Sequence, residues 1–170
     1  GGPTAVINSS LYGVVSEGRR HPDAIEHIYG MINGIEGFLK ETILDFAEVL
    51  PGEKLDGLKS TPGAYLGSCR YKLPESLEDP VYPKLFKKFE EMNIGWFFYI
   101  GGNDSMDTVS KLSRYAAMTG SDIRIIGEPK TIDNDLALTD HTPGFGSAAK
   151  YIGASTKEVI RDAEGLTYKK

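Results

Sequence analysis

The stretch "FFYIGGNDSMDTVSKL", residues 97–112, passes from apolar residues through two glycines to polar residues and then to a helical pattern. The run "WFFYI", 96–100, is short, apolar and bounded by glycines, which is typical of a buried strand in a parallel sheet. Beyond the glycines, apolar residues recur at helical spacing and predict a helix over 104–118. Asn103 or Asp104 takes the natural capping position at the start of that helix.

Further segments with strand or helix periodicity flank this stretch. They are predicted strands at 25–32 and 123–129, and predicted helices at 5–15, 79–92 and 146–163. Thr4 is the predicted cap of the first helix. Strands that alternate with helices indicate a parallel α/β sheet with right-handed crossovers. Ligands bind such sheets at the carboxyl ends of the strands, where 101–102 and 128–136 are predicted to lie.

The composition argues against several classes of protein. The 170 residues are 40% hydrophobic and 25% charged, which fits one globular domain or one lobe of a larger one. The net charge of −5 and the lack of long basic tracts argue against nucleic acid as the main partner. The single cysteine, Cys69, excludes an internal disulfide and favours the cytoplasm. No apolar run reaches the roughly 20 residues of a membrane span, so no membrane partner is expected.

Two of the polar segments carry groups suited to a phosphorylated ligand. In "GGPTAVINSS", 1–10, glycines before a helix let backbone N–H groups approach a phosphate, although a plain turn explains them equally well. In "LGSCRYK", 66–72, Arg70 and Lys72 follow a Gly-Ser turn. The guanidinium of an arginine can bind a phosphate with two hydrogen bonds, and a solvated loop is the alternative.

The segment "GGNDS", 101–105, contains more than a helix cap requires. Its glycines permit close approach of the backbone, and Asn103, Asp104 and Ser105 offer oxygen atoms to Mg²⁺ or to water in its shell. One such residue would be enough for capping. The surplus of polar groups after a buried strand favours a binding site.

The segment "EPKTIDND", 128–135, places two carboxylates two residues apart. Alternate residues of an extended segment face the same side, so Thr131, Asp133 and Asp135 are predicted to line one wall. Paired carboxylates near a phosphate suit one general base and one metal or hydrogen-bond partner. The alternative is a turn rich in Asn and Asp.

These segments, in this order, resemble the 6-phosphofructokinase family over nearly the whole chain. "PKTIDND" and "GGNDS" are the most specific of the shared motifs. The resemblance implies an α/β fold, a parallel-sheet sandwich of the phosphofructokinase type. It also implies Mg²⁺-dependent phosphoryl transfer to the C1 hydroxyl of fructose 6-phosphate, and a homo-oligomer in the full-length protein.

The resemblance further implies roles for individual residues. Gly2 is similar to the glycine of the first phosphate loop, and Arg70 to the arginine that bridges the donor phosphates. Thr131 is similar to the threonine near the 1-hydroxyl of the sugar. Asp133 resembles the general base that takes the proton of that hydroxyl, and Asp135 the acidic residue that supports it.

Two positions indicate which phosphoryl donor the protein uses. Members that use ATP usually read GGDGS and PGTIDND, whereas this chain has Asp104 and Lys130 at the variable glycines. That pattern resembles the pyrophosphate-dependent branch. An Asp side chain would fill the space of the α-phosphate and nucleoside, while Lys130 adds a cation, so the local net charge is unaltered. Gly102 and Ser105 complete the predicted donor site.

The metal site and the length of the chain depart from the family pattern. Many relatives have Asp at position 103, and Asn103 is a weaker ligand for a hard cation. Asn103 and Asp104 are therefore the predicted ligands, helped by the substrate phosphates. The family's first strand and its sugar-phosphate-binding half are absent. We expect residues 1–170 to be the donor-binding and catalytic-base portion of a longer enzyme, incomplete at both ends and nearly inactive alone.

Two other functions stay open from the sequence. One is an ATP-dependent member of the same family with an unusual donor pocket. The other is a non-catalytic regulatory subunit, because a fold does not determine a function.

Overall fold

The computed structural model describes residues 4–166. Gly2 and its predicted phosphate loop lie outside the described residues. The elements in chain order are α1 (Ala5–Gly18), β1 (Tyr29–Met31), α2 (Gly34–Leu39), β2 (Ile43–Asp45), α3 (Gly52–Asp56), a 3₁₀ turn (Gly57–Lys59), α4 (Val81–Glu91), β3 (Trp96–Gly101), α5 (Asn103–Thr119), β4 (Arg124–Pro129) and α6 (Phe145–Gly165).

The central unit is β3–α5–β4, in which the two strands pair in parallel from Trp96 opposite Arg124 to Gly101 opposite Pro129. The helix α5 crosses between them, and its C-cap is Gly120 in the left-handed conformation that ends many helices. The predicted parallel α/β arrangement is confirmed for this unit. Both strands end at the same edge, which is where the polar segments were predicted to lie.

An aromatic core supports this unit. Phe97 of β3 is buried against Phe89 of α4, with ring centroids 5.1 Å apart, and Phe89 stacks on Phe38 at 5.0 Å. Tyr82 of α4 stacks on Tyr115 of α5 at 5.3 Å. Offset aromatic contacts of this kind add to the burial of apolar area, so α4, β3 and α5 are held as one layered core.

The predicted strand at 25–32 is wrong in length and in its partner. Only Tyr29–Met31 forms a strand, and it pairs antiparallel with β2, not with the parallel sheet. The reason lies in Asn33 and Gly34, which have φ of 59° and 60° and start α2 from a left-handed turn. The chain folds back at once, and the short strand pairs locally.

Helices α1, α4 and α6 lie at the positions predicted for them. Thr4 takes the N-cap position of α1, but its hydroxyl makes no capping hydrogen bond, so that part of the prediction is wrong. Helix α6 follows the predicted range and buries none of its described side chains. Within residues 4–166, every helix is too short or too polar to cross a membrane.

Candidate active site

Three segments meet at the carboxyl ends of β3 and β4. We call them the arginine segment (residues 69–75), the glycine turn (Gly101–Ser105) and the acidic loop (residues 131–144). The N–H of Lys130, just before the acidic loop, donates to the carbonyl of Gly101 at 2.9 Å. The structure thus brings together three of the four segments predicted to carry the chemistry.

The glycine turn joins β3 directly to α5. Gly101 is buried, and a Cβ there would lie 2.1 Å from the Ser105 hydroxyl oxygen, so the serine side chain packs over this glycine. The N-cap of α5 is Gly102, whose carbonyl accepts from the N–H of Ser105 at 2.9 Å. The positive end of the α5 dipole therefore faces the sheet edge, where it favours anions.

The predicted cap at Asn103 or Asp104 is wrong, because both side chains have partners in other segments. The Asn103 amide donates to a carboxylate oxygen of Asp135 at 3.1 Å. The Asp104 carboxylate lies 3.0 Å from the ammonium of Lys72. These two contacts link the glycine turn to the acidic loop on one side and to the arginine segment on the other.

The acidic loop is closed at its base. Thr131 forms a parallel bridge with Gly144, and its N–H donates to the carbonyl of Pro143 at 3.0 Å. The hydroxyl of Thr142 donates to the carbonyl of Thr131 at 2.8 Å. Thr131 and Thr142 are only 2% and 3% exposed, so these bonds are shielded from water.

Inside the loop, Asn134 replaces the predicted extended backbone with a turn. Asn134 has φ of 55°, and its side chain accepts from the N–H of Thr142 at 2.9 Å and donates to the carbonyl of Asp140 at 3.2 Å. The N–H of Asp133 donates to the Thr131 hydroxyl at 3.0 Å. Such side-chain hydrogen bonds to the backbone compete with extended structure, and in this loop they stabilise the turn.

The extended backbone from which Thr131, Asp133 and Asp135 were predicted to line one wall is therefore interrupted at Asn134. Thr131 is buried with its hydroxyl bonded to the backbone, whereas both carboxylates are exposed. Asp133 and Asp135 still lie at the edge of the site, since Asp135 contacts the glycine turn through Asn103. The local backbone is the turn that the sequence left as the alternative.

Two lysines bear on the charge at this edge of the sheet. Lys130 is 2% exposed, and burial lowers the pKa of its ammonium while the charge of Asp133 opposes that shift. The ion-pair partner of Asp104 is Lys72 of the arginine segment. Sequence reasoning placed Lys72 beside Arg70 but outside the donor site, although its spacing of two residues from the arginine was a usable signal.

The arginine segment has no regular secondary structure, and a buried lysine of α5 holds it. The Lys111 ammonium binds the carbonyl of Leu73 at 3.1 Å, Glu75 at 2.6 Å and Asp107 at 2.7 Å. Hydrogen bonds to Asp107 and Glu75 raise the pKa of Lys111 to about 12. Nothing in the helical pattern distinguishes this lysine from a solvated one, so sequence reasoning missed it.

Arg70 itself is exposed at the start of this segment. Within residues 4–166, its guanidinium makes no hydrogen bond or ion pair. An exposed guanidinium on the segment that contacts the glycine turn through Lys72 is available to bind an oxyanion with two hydrogen bonds. The position suits the phosphate role that was predicted for it.

The side chains at this edge suit a magnesium ion only in part. Among the described residues, no group of three acidic, histidine or cysteine side chains could hold a metal ion. Asn103, Asp104 and Asp135 offer oxygen atoms, although Asp104 already pairs with Lys72. Mg²⁺ typically takes one or two carboxylates together with phosphate oxygens and water, and this donor set fits that arrangement.

Comparison with known proteins finds relatives of this chain in sequence and in structure. The chain is 45% identical over 167 residues to a protein of Halomonas elongata named pyrophosphate–fructose 6-phosphate 1-phosphotransferase, covering 98% of this chain and 40% of the relative. The crystal structure of a pyrophosphate-dependent phosphofructokinase from Marinobacter aquaeolei has a TM-score of 0.84 at 47% identity, over 98% of this chain and 40% of that one. That from Nitrosospira multiformis has a TM-score of 0.88 at 42% identity, over 100% and 42%.

The chain spans about 40% of the length of these relatives. The sequence model of the family described as phosphofructokinase matches residues 1–168, which include the arginine segment, the glycine turn and the acidic loop. The TM-scores show that the described fold is the one these structures share. Since the match extends over almost the whole chain and all three segments of the site, this chain belongs to the phosphofructokinase family.

Proposed function

We propose that this chain is the donor-binding and catalytic-base portion of an enzyme that transfers a phosphoryl group from pyrophosphate to the C1 hydroxyl of fructose 6-phosphate. The observation that carries the proposal is the meeting of the arginine segment, the glycine turn and the acidic loop at one sheet edge. The named activity of the similar Halomonas protein supports this choice of donor and acceptor.

In this proposal, Asp133 is the general base. Its carboxylate is exposed at the site edge, while its own N–H binds the Thr131 hydroxyl, so the backbone of the base is held on a buried residue. Asp133 accepts the proton of the sugar hydroxyl as that oxygen attacks phosphorus. This proton transfer accompanies the development of charge on the phosphoryl group, which the surrounding site stabilises.

The residues around the base orient it and receive the phosphates. Thr131 lies next to the sugar hydroxyl, and Asp135 supports the base loop through its hydrogen bond with Asn103. Arg70 binds the donor phosphates with its exposed guanidinium and stabilises the transferred group. Positioning and charge stabilisation of this kind supply most of the catalysis in phosphoryl transfer.

The donor site consists of Gly102, Asp104, Ser105 and Lys130, together with Arg70 and Gly2. Asp104 is exposed in the first turn of α5, where its side chain takes the space that a glycine would leave for a larger donor. Lys130 supplies a cation at the end of β4. This combination favours pyrophosphate over ATP.

The magnesium ion would be held by Asn103 and Asp104 and mainly by the donor phosphates. When bound, it would neutralise charge on the transferred group. The site therefore loads the metal with its substrate and not through a preformed cage. The homo-oligomeric state and the cytoplasmic location stay predictions.

The test is a direct assay of the full-length protein that carries this sequence, with fructose 6-phosphate and Mg²⁺. We expect turnover with pyrophosphate and at least about tenfold lower kcat/KM with ATP. A preference for ATP would identify the ATP-dependent alternative. No transfer from either donor, with binding of both substrates intact, would favour the regulatory alternative.

A further inference from the structure

Lys72 and Asp104 form an ion pair that stability does not explain. The two charged atoms are 3.0 Å apart, but the side chains are 71% and 78% exposed. Exposed pairs of this kind contribute little to folding because water screens them and the side chains lose freedom. The pair nevertheless joins the arginine segment to the first turn of α5, at the proposed donor site.

A carboxylate at this place creates an electrostatic problem for the proposed reaction. Pyrophosphate is a small polyanion, and Asp104 would repel it when a closed site excludes the water that screens charge. Lys130 offers limited relief, since it is buried and its charge interacts with Asp133. Within residues 4–166, Lys72 is the cation paired with Asp104.

The backbone next to Lys72 is held in place. The carbonyl of the following residue, Leu73, accepts a hydrogen bond from the buried Lys111, and the Leu73 side chain is 2% exposed. Lys72 therefore contacts the glycine turn from a stretch of chain whose backbone is held at the next residue. Such preorganisation lowers the cost of placing a charge for a ligand.

We propose that Lys72 is a positioning residue that sets donor choice through Asp104. Its ammonium neutralises the carboxylate and fixes its orientation, so Asp104 excludes a nucleotide by its volume without repelling pyrophosphate. This inference rests on the proposed function. It adds Lys72 to the two positions, Asp104 and Lys130, that the sequence associates with the donor.

The experiment is a double-mutant cycle in the full-length protein, with Lys72→Met, Asp104→Asn and the double variant. Lys72→Met should raise the KM for pyrophosphate about tenfold, the size expected for one lost contact to a charged group, while the KM for fructose 6-phosphate stays within about twofold. In the Asp104→Asn background, Lys72→Met should raise the KM for pyrophosphate less than about threefold. Lys72→Arg should restore most of the wild-type KM.

Lys87→Met is the matched control. Lys87 is 74% exposed and pairs with Glu91 on α4 at 3.5 Å, so it has the same chemistry away from the site. This control should leave the KM for pyrophosphate unchanged, and none of the variants with an altered KM should lose melting temperature.

Two outcomes overturn the inference. Equal effects of Lys72→Met with and without Asp104 would show that the lysine does not act through the carboxylate. An unchanged KM in Lys72→Met would show that it does not influence the donor. Both leave the proposed function standing if the wild type transfers from pyrophosphate, whereas a wild type that prefers ATP refutes the proposed function itself.

Discussion

The glycine turn and the acidic loop follow neighbouring parallel strands, but different forces hold them. The acidic loop closes on buried hydrogen bonds of Thr131 and Thr142, and the side chain of Asn134 bonds the backbone at Asp140 and Thr142. The glycine turn needs no such network, because Gly101 and Gly102 lead straight into α5. Its polar side chains reach outward to exposed partners.

The contrast separates two kinds of residue at one site. Changes within the acidic loop should affect turnover and stability together, because its buried hydrogen bonds position the proposed base. Changes to exposed side chains of the glycine turn should alter donor choice with small effects on folding. The following variants of the full-length protein test this contrast.

The largest effect is expected at the proposed base. Asp133→Asn should lower kcat about 10²–10⁴-fold, since an amide cannot accept the proton, while the backbone contact of this residue with Thr131 is kept. Steady-state kinetics with pyrophosphate measures the loss. Asp140→Asn is the control, because this residue contributes its backbone carbonyl to the loop. Normal turnover in Asp133→Asn would exclude it as the base.

The next effect tests the closure of the acidic loop. Thr142→Val should lower the unfolding free energy by about 1–3 kcal/mol, because the buried carbonyl of Thr131 loses its donor. It should also lower kcat about 10–10²-fold through misplacement of Asp133. Thr142→Ser keeps the hydroxyl and should retain most of the unfolding free energy and most of the kcat. Denaturant unfolding and kinetics on the same samples give the answer, and a fully active, fully stable valine variant would contradict the comparison.

The donor positions should give a smaller but more selective change. The double variant Asp104→Gly, Lys130→Gly should raise the ratio of kcat/KM for ATP to that for pyrophosphate at least about tenfold, because the glycines reopen space for the nucleotide. The ratio does not depend on the fraction of folded enzyme. Lys130→Gly should destabilise the protein by emptying a buried position, whereas Asp104→Gly should cost only about 0.5–1 kcal/mol in the helix.

Ser110→Gly is the control for these donor variants. Ser110 is exposed further along α5, so its replacement carries the helix cost without touching the site. An unaltered donor ratio in the double variant would mean that the volume of Asp104 does not exclude ATP.

The smallest effect on turnover is expected at Gly101. Gly101→Ala should lower the unfolding free energy by about 1–3 kcal/mol, because its Cβ would meet the Ser105 hydroxyl oxygen at 2.1 Å. Gly95→Ala is the matched control immediately before β3, where a Cβ meets no atom within 4 Å. Equal stability of the two variants, measured by denaturant unfolding, would show that Ser105 moves aside freely.

The sequence predicted the β3–α5–β4 unit because its signals are local. A short apolar run between glycines and a helical repeat each depend on residues a few positions apart, and the structure confirms both. The apolar run at 25–32 misled because strand pairing depends on a partner. The chain reverses at Asn33 and Gly34, and the partner of β1 is the nearby strand β2.

The candidate site was predicted as a set of segments but not as a set of contacts. Arg70, Asp104 and Asp133 were named from their motifs, and the structure places their segments at one edge. Asn103 was expected to cap its own helix, yet its amide binds Asp135, 32 residues away. Helix periodicity and capping rules consider only residues a few positions apart, so they do not predict such a distant partner.

The sequence by itself determined the alternation of strands and helices, the order of the phosphate-site motifs and the family they indicated. Only the tertiary structure decided that Lys72 pairs with Asp104, that Lys111 holds the arginine segment and that Thr142 closes the acidic loop. The physical reason is that these interactions act over different separations along the chain. Local propensity acts over one or two helical turns, whereas charges and buried hydrogen bonds select partners by distance in space, once the core has brought the strand ends together.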